Sequence, residues 1–200
     1  MPAIGVTGGI GTGKTSFVKA LGELLPGAVF FDADEMAREL TRSDAQSLVR
    51  IRQQFGQQVF HASGELNRAA LRAMVFGAPE KRRALEQILH PRIREHWTGE
   101  ANKHRGSTRF FIADIPLLYE TGGERFCDRI VVVACSEETQ MQRLMQRTGM
   151  EREAAAAIVA AQMPLEEKVK RADHVVWNNG PETGLMEQGR LLVSLWSQIQ

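Results

Sequence analysis

Gly8-Gly9-Ile10-Gly11-Thr12-Gly13-Lys14-Thr15 fits the phosphate-loop pattern G-x-x-x-x-G-K-[ST], the Walker A motif. Ahead of it, Ala3-Ile4-Gly5-Val6-Thr7 is short and mostly apolar, as a buried parallel strand is. Behind it, Phe17, Leu21, Leu24 and Leu25 recur at helical spacing. Glycines between a strand and a helix let the backbone curl, so that its N–H groups converge as an anion nest. The helix N-terminus adds partial positive charge toward the same anion. Lys14 is expected on the β- and γ-phosphates of ATP and the Thr15 hydroxyl on Mg²⁺, with Gly9, Gly11, Thr12, Gly13 and Ser16 completing the ATP-binding loop. The stretch predicts a nucleoside-triphosphate site.

The 200 residues suffice for one domain with insertions. A formal net charge of +1 without blocks of like charge gives no reason to expect a nucleic-acid surface. No basic segment followed by an apolar run opens the chain, and no apolar run approaches bilayer length. Cys127 and Cys135 flank an apolar run without C-x-x-C spacing, which predicts buried thiols rather than a disulfide or metal site. Together these features predict a cytoplasmic protein with no membrane contact.

Downstream of the first helix, Ala28-Val29-Phe30-Phe31 reads as a second buried strand ending in Asp32-Ala33-Asp34. Ligands of parallel α/β sheets gather at the carboxyl ends of strands. Asp34 is therefore the candidate to orient or deprotonate an acceptor hydroxyl, and Asp32 the candidate cap of the next helix. Residues 42 to about 104 are polar and helical in pattern, with segments at Ala45–Phe55, Asn67–Phe76, Pro79–Leu89 and Pro91–Lys103. Leu85, Leu89, Ile93 and Trp97 keep a four-residue spacing across His90-Pro91, while proline disfavours helix at His90, so the pattern predicts either a helix that runs on with a kink or a break there. His90 itself reads equally as structural or as an acceptor contact.

Arg109–Ala113 reads as the third strand, ending in Asp114, a Walker B-like carboxylate for Mg²⁺ through water. Pro116, Leu117 and Leu118 line either an acceptor pocket or the core. Arg129–Ala134 is the clearest strand, with Ser136 as the N-cap of a helix carrying Met141, Leu144 and Met145 on one face. Arg143 and Arg147 lie one turn apart on another face, a like-charge pair that invites phosphate. Gly149 and an alanine-rich helix to Gln162 complete a helix–turn–helix of the form of a lid. His174–Trp177 is a last short strand, and Asn178-Asn179-Gly180 is a turn at its carboxyl end with Asn179 placed for the nucleotide. The final helix carries a core stripe of Leu185, Gly189, Leu192, Trp196 and Ile199.

In this order the motifs resemble the dephospho-coenzyme A kinase family, from the first strand to Asn178-Asn179-Gly180. The residues carrying the resemblance are Thr7 to Lys14, Asp32-Ala33-Asp34 with Ala37-Arg38, Leu89-His90-Pro91 and Pro116-Leu117-Leu118-Tyr119-Glu120. Later come Glu138-Thr139-Gln140 with Arg143 and Arg147, then Gln162, Lys168 and Ala172-Asp173. Walker A alone would name only a superfamily; the Asp-Ala-Asp, His-Pro and Pro-Leu-Leu-x-Glu elements together are far more specific. Thr15-Ser16 stands where the family more often has Ser-Thr, and Trp177 where relatives are often acidic.

The resemblance implies an α/β P-loop NTPase fold of three layers around five parallel strands. It implies a core from residues 1–37, 105–136 and 169–200, a helical acceptor-binding insertion at 38–104 and a lid at 137–168. The implied reaction is transfer of the ATP γ-phosphate to the ribose 3′-hydroxyl of dephospho-coenzyme A, with Mg²⁺ and in line. Lys14, Arg143, Arg147 and Asp34 are its expected catalytic residues, with Asp34 on the acceptor hydroxyl. Thr7, His90, Pro116, Leu117 and Leu118 join Asp34 on the acceptor side. ATP and dephospho-coenzyme A are the expected partners, and a monomer is compatible with the pattern. A kinase of the same architecture acting on a nucleoside monophosphate or a sugar-like alcohol shares the loop and lid. A GTP-dependent switch would need Asn-Lys-x-Asp, which Asn178-Asn179-Gly180-Pro181 is not.

Overall fold

The computed structural model describes residues 3–107 and 109–198. Strands β1 (Ala3–Gly8), β2 (Val29–Asp32), β3 (Phe111–Asp114), β4 (Arg129–Ala134) and β5 (His174–Trp177) form one five-stranded sheet in the order β2-β3-β1-β4-β5. β1 is central and buried along its whole length, parallel to β3 on one side and to β4 on the other, and β5 continues the parallel pattern beyond β4. Ile4 stands between Ile112 and Arg129, which sets the register. Two aspartates fix the entering ends of neighbouring strands. The Asp128 carboxylate accepts the Ala3 N–H at 2.7 Å while its own N–H donates to the Ala3 carbonyl. Asp173 does the same to Ile130, its carboxylate accepting at 2.8 Å.

The chain divides into two compact units, Met1–Phe31 with Ala101–Gln200, and Asp32–Glu100. In the first, α1 (Lys14–Leu24) and α9 (Glu182–Ser197) pack on the sheet. Phe17 and Leu21 join Ile4, Val6, Val131, Val133, Leu185 and Trp196 in one core, so the expected stripe on the last helix faces inward. Ile199, its last member, lies outside the described residues. Helices α6 (Glu137–Thr148) and α7 (Arg152–Ala160) share a small core of Met141, Leu144 and Ala155. Ser136 caps α6 and Gly149 ends it with φ 68°, as the sequence predicts. The helix α8 (Leu165–Arg171) has no counterpart in the sequence reading. Its seven residues offer only Leu165 and Val169 as an apolar face, too little for a periodic signal.

The second unit holds α2 (Ala33–Ser43), α3 (Ala45–Phe55), α4 (Arg68–Val75) and most of α5 (Pro79–His104). Leu40, Ile51, Phe55, Val59, Leu71 and Leu89 form its core. α5 runs through Pro91, the continuous one of the two courses left open at His90. Proline there removes one helical hydrogen bond, to the Gln87 carbonyl, and burial of Ile88 and Leu89 immediately before it holds the helix. Cys127 and Cys135 are both free thiols, Cys135 buried and Cys127 half-buried; burial pushes the Cys127 thiol up to about 12. Neither is poised as a thiolate at neutral pH.

Candidate active site

The loop between β1 and α1 is shaped first by its own residues. Thr12 is fully buried, and both its N–H and its hydroxyl turn back to the Gly9 carbonyl, at 3.3 and 2.9 Å. Gly13 takes φ +87°, and a Cβ there would lie 2.0 Å from Asn178 Nδ2, so no other residue fits. Helix geometry leaves the N–H groups of Lys14, Thr15 and Ser16 without intrahelical acceptors, pointing out of the N-terminus of α1. Those donors and the helix dipole make an anion site. Thr15 and Ser16 are exposed.

Later segments of the chain then hold the loop. Asn178, buried at the end of β5, donates its side-chain N–H to the Thr12 carbonyl at 2.9 Å, and Arg143 Nη1 reaches the same oxygen at 3.4 Å. The first of the two arginines on α6 thus stands at the loop. Arg147 is exposed and, among the described residues, forms no ion pair. Asn179 accepts the Ser136 N–H at 2.7 Å and so ties the ends of β4 and β5 together. Of the two asparagines, Asn178 touches the phosphate loop; Asn179 was the one singled out from sequence.

Lys14 and Asp114 form an ion pair in which both side chains are nearly buried. The lysine expected on phosphate and the aspartate expected near the metal are thereby brought together. Among the described residues, no group of three or more His, Cys, Asp or Glu side chains could hold a metal alone. One hydroxyl and one carboxylate suit Mg²⁺, a hard ion that takes few protein oxygens and completes its shell with water and substrate phosphates.

Below the loop lies a buried cation. Lys168 on α8 is 0% exposed, and its Nζ donates to the Pro116 carbonyl at 3.1 Å and the Gly8 carbonyl at 3.4 Å while pairing with Glu120 at 2.8 Å. The Glu120 carboxylate also accepts the Met163 N–H at 3.0 Å. The Thr7 hydroxyl donates to the same Pro116 carbonyl at 3.0 Å and is fully buried, as is Leu118; Pro116 and Leu117 are half-buried. A buried lysine contradicts its usual surface preference, which is why composition gives no hint of this node. Trp177 is 52% exposed, its backbone N–H and carbonyl both taken by Gln188.

In the helical unit, Asp32 caps α2 by accepting the N–H groups of Asp34 and Glu35 at 2.7 and 3.0 Å. Asp34, in the first turn, is exposed, and among the described residues its carboxylate makes no hydrogen bond or ion pair. His90 is half-buried in α5; burial pushes its pKa down, Glu86 opposes that and Arg94 adds to it.

The family model described as CoaE, dephospho-CoA kinase, matches residues 2–183. A dephospho-CoA kinase of Nitrosospira multiformis is 42% identical over 193 residues, 96% of this chain and 94% of its own. This chain belongs to the dephospho-CoA kinase family. A solved dephospho-CoA kinase from Campylobacter jejuni superposes with TM-score 0.67 at 25% identity, covering 96% of both chains. A shikimate kinase from Acinetobacter baumannii shares the fold at TM-score 0.54 and 17% identity, over 100% of this chain and 95% of that one. The fold alone therefore does not set the acceptor.

Proposed function

We propose that this chain transfers the γ-phosphoryl group of ATP to the ribose 3′-hydroxyl of dephospho-CoA, releasing CoA and ADP in the cytoplasm. The family match across residues 2–183 carries the reading. Phosphoryl transfer passes through a loose transition state, so positioning and charge neutralisation outweigh base catalysis. The N–H groups at the head of α1 bind the phosphates, and Lys14 exchanges Asp114 for phosphate oxygens. Arg143, already at the Thr12 carbonyl, neutralises charge on the transferring group, and Arg147 joins it from the next turn. Thr15, and Asp114 through water, would hold Mg²⁺, which would supply further charge neutralisation when bound with ATP. Asp34 orients the acceptor hydroxyl and takes its proton late; among the described residues its carboxylate has no partner, which leaves it available for that task. Among the described residues no helix is long and apolar enough to cross a membrane, in keeping with two soluble substrates.

The test is ADP release from MgATP with dephospho-CoA, AMP, adenosine, shikimate or no acceptor. Rapid release with dephospho-CoA alone, giving product phosphorylated at the ribose 3′ position, is the expected result. Faster release with another acceptor, or equal release with none, overturns it.

A further inference from the structure

Ile10, inside the phosphate loop, has both polar groups of its backbone taken by glutamines from the lid segment. Its carbonyl accepts from Gln140 Nε2 of α6 at 2.6 Å, and its N–H donates to Gln162 Oε1, just after α7, at 2.9 Å. Its side chain packs into the small core of Met141, Leu144 and Ala155 that joins α6 to α7. Gln140 is 4% exposed, and a Cβ at Gly9 would lie 2.6 Å from its Nε2, so a larger residue there would have to push the Gln140 amide off the loop. Two directed hydrogen bonds of opposite sense and one apolar plug thus converge on a single residue. A backbone group held this way cannot shift without breaking a partly buried bond, and the lid helices cannot leave without pulling Ile10 from their core.

We infer that Gln140 and Gln162 are positioning residues that join the phosphate loop to the lid helices. Shaping the anion nest and ordering the lid over ATP are then one event. The inference rests on the kinase reading, because its consequence is felt only where a lid must exclude water from ATP. When the two parts are joined, bound phosphates draw the lid and the alcohol competes with little water. When they are parted, ATP still binds the loop under an unordered lid, and water takes a larger share of phosphoryl groups.

The readout is the ratio of acceptor-free ATP hydrolysis to phosphoryl transfer, with kcat and KM for ATP recorded separately. Gln162→Met and Gln140→Met keep side-chain length and remove one hydrogen bond each. Each is expected to raise the ratio roughly tenfold, the worth of one partly buried hydrogen bond. Because both act on one residue, the double variant is expected to be no worse than the poorer single. Gln162→Glu keeps an acceptor for the Ile10 N–H and should restore the ratio, whatever its charge does to the KM for ATP. Ile10→Val, which keeps both hydrogen bonds and trims the plug, should raise the ratio less and serves if a glutamine variant fails to fold. An unchanged ratio in folded variants, with only stability or kcat reduced, overturns the inference, as does a double variant whose effects multiply. Failure of the wild-type chain to use dephospho-CoA overturns the acceptor reading alone; the same ratio, read with the alcohol it does use, still tests the clasp.

Discussion

Around the phosphate loop, Lys14 pairs with Asp114, Asn178 and Arg143 share the Thr12 carbonyl, and Lys168 sits against Glu120 beneath Gly8. At the head of the helical unit, Asp34 stands exposed with nothing on its carboxylate among the described residues, while Asp32 beside it carries the cap. The contrast fits the two tasks proposed above. Phosphate charge is met best by a loop whose backbone donors are held in shape in advance, because those donors cost no reorganisation during the reaction. A carboxylate that must accept a proton is better left without a cation that would hold it ionised. Substitutions on the first side should disturb stability and chemistry together, and Asp34 should disturb chemistry alone.

The largest effect is expected at Lys14. Lys14→Met should lower kcat/KM for ATP by roughly 10³-fold, the upper range for one transition-state donor, in a coupled ADP assay. A variant keeping a tenth of the activity would show that the head of α1 and Arg143 suffice, and that the pair with Asp114 serves the fold.

Lys168→Met comes next, and its readout is stability. Removing one member of a buried pair costs about 3–5 kcal/mol; the Glu120 side chain is 22% exposed, so about 3 kcal/mol in urea unfolding is expected. Near-neutral unfolding would mean that an apolar side chain satisfies the site as well as the pair does, and the node would then matter for placing Gly8 rather than for the fold.

Asp34→Asn should lower kcat by about 10²-fold, with the KM for ATP little changed. Its unfolding should shift by less than about 0.5 kcal/mol, as for other surface changes that break no contact. Unfolding and turnover measured on the two variants side by side break the comparison if Asp34→Asn destabilises as much as Lys168→Met, or if its turnover stays near normal.

How far the sequence carried this reading depended on whether a residue's role is written in its neighbours. The phosphate loop, β4 and β5 are legible because glycine spacing and unbroken β-branched runs are local signals. Asp32 is legible as a cap because cap chemistry acts over three residues. Lys168 is not, since its burial depends on carbonyls at Gly8 and Pro116, far away in the chain. Neither is the choice between Asn178 and Asn179, which turns on which of two adjacent side chains faces the loop as β5 ends. Pro91 leaves a choice open for a related reason: a helix break is a local expectation, and burial of Ile88 and Leu89 decides for the run-on helix that the apolar spacing also allows.

The smallest effect concerns the helical unit's own ion pair. Asp44 caps α3 by accepting the Ser47 N–H at 2.8 Å and pairs with Arg92 of α5 at 2.9 Å. Burial alone would raise its pKa, but the hydrogen bonds from Arg92 and Ser47 outweigh that and hold the carboxyl at about 2, against an ordinary value of 3.8. A carboxyl with a lowered folded pKa binds fewer protons in the folded state than in the unfolded one. The stability it contributes is complete above 3.8 and is lost as pH falls from 3.8 to about 2. Asp44→Asn keeps a side chain that caps equally well, so it isolates the ion pair. At neutral pH it should lower Tm by about 2 °C, the scale of a partly exposed pair in a chain of this size. In thermal melts repeated down the pH scale, the gap between wild type and variant should close through that window. A gap that persists below it would show that asparagine does not match aspartate as the cap, and the helical unit would then owe its order at this corner to the α3 N-terminus rather than to the pairing of α3 with α5.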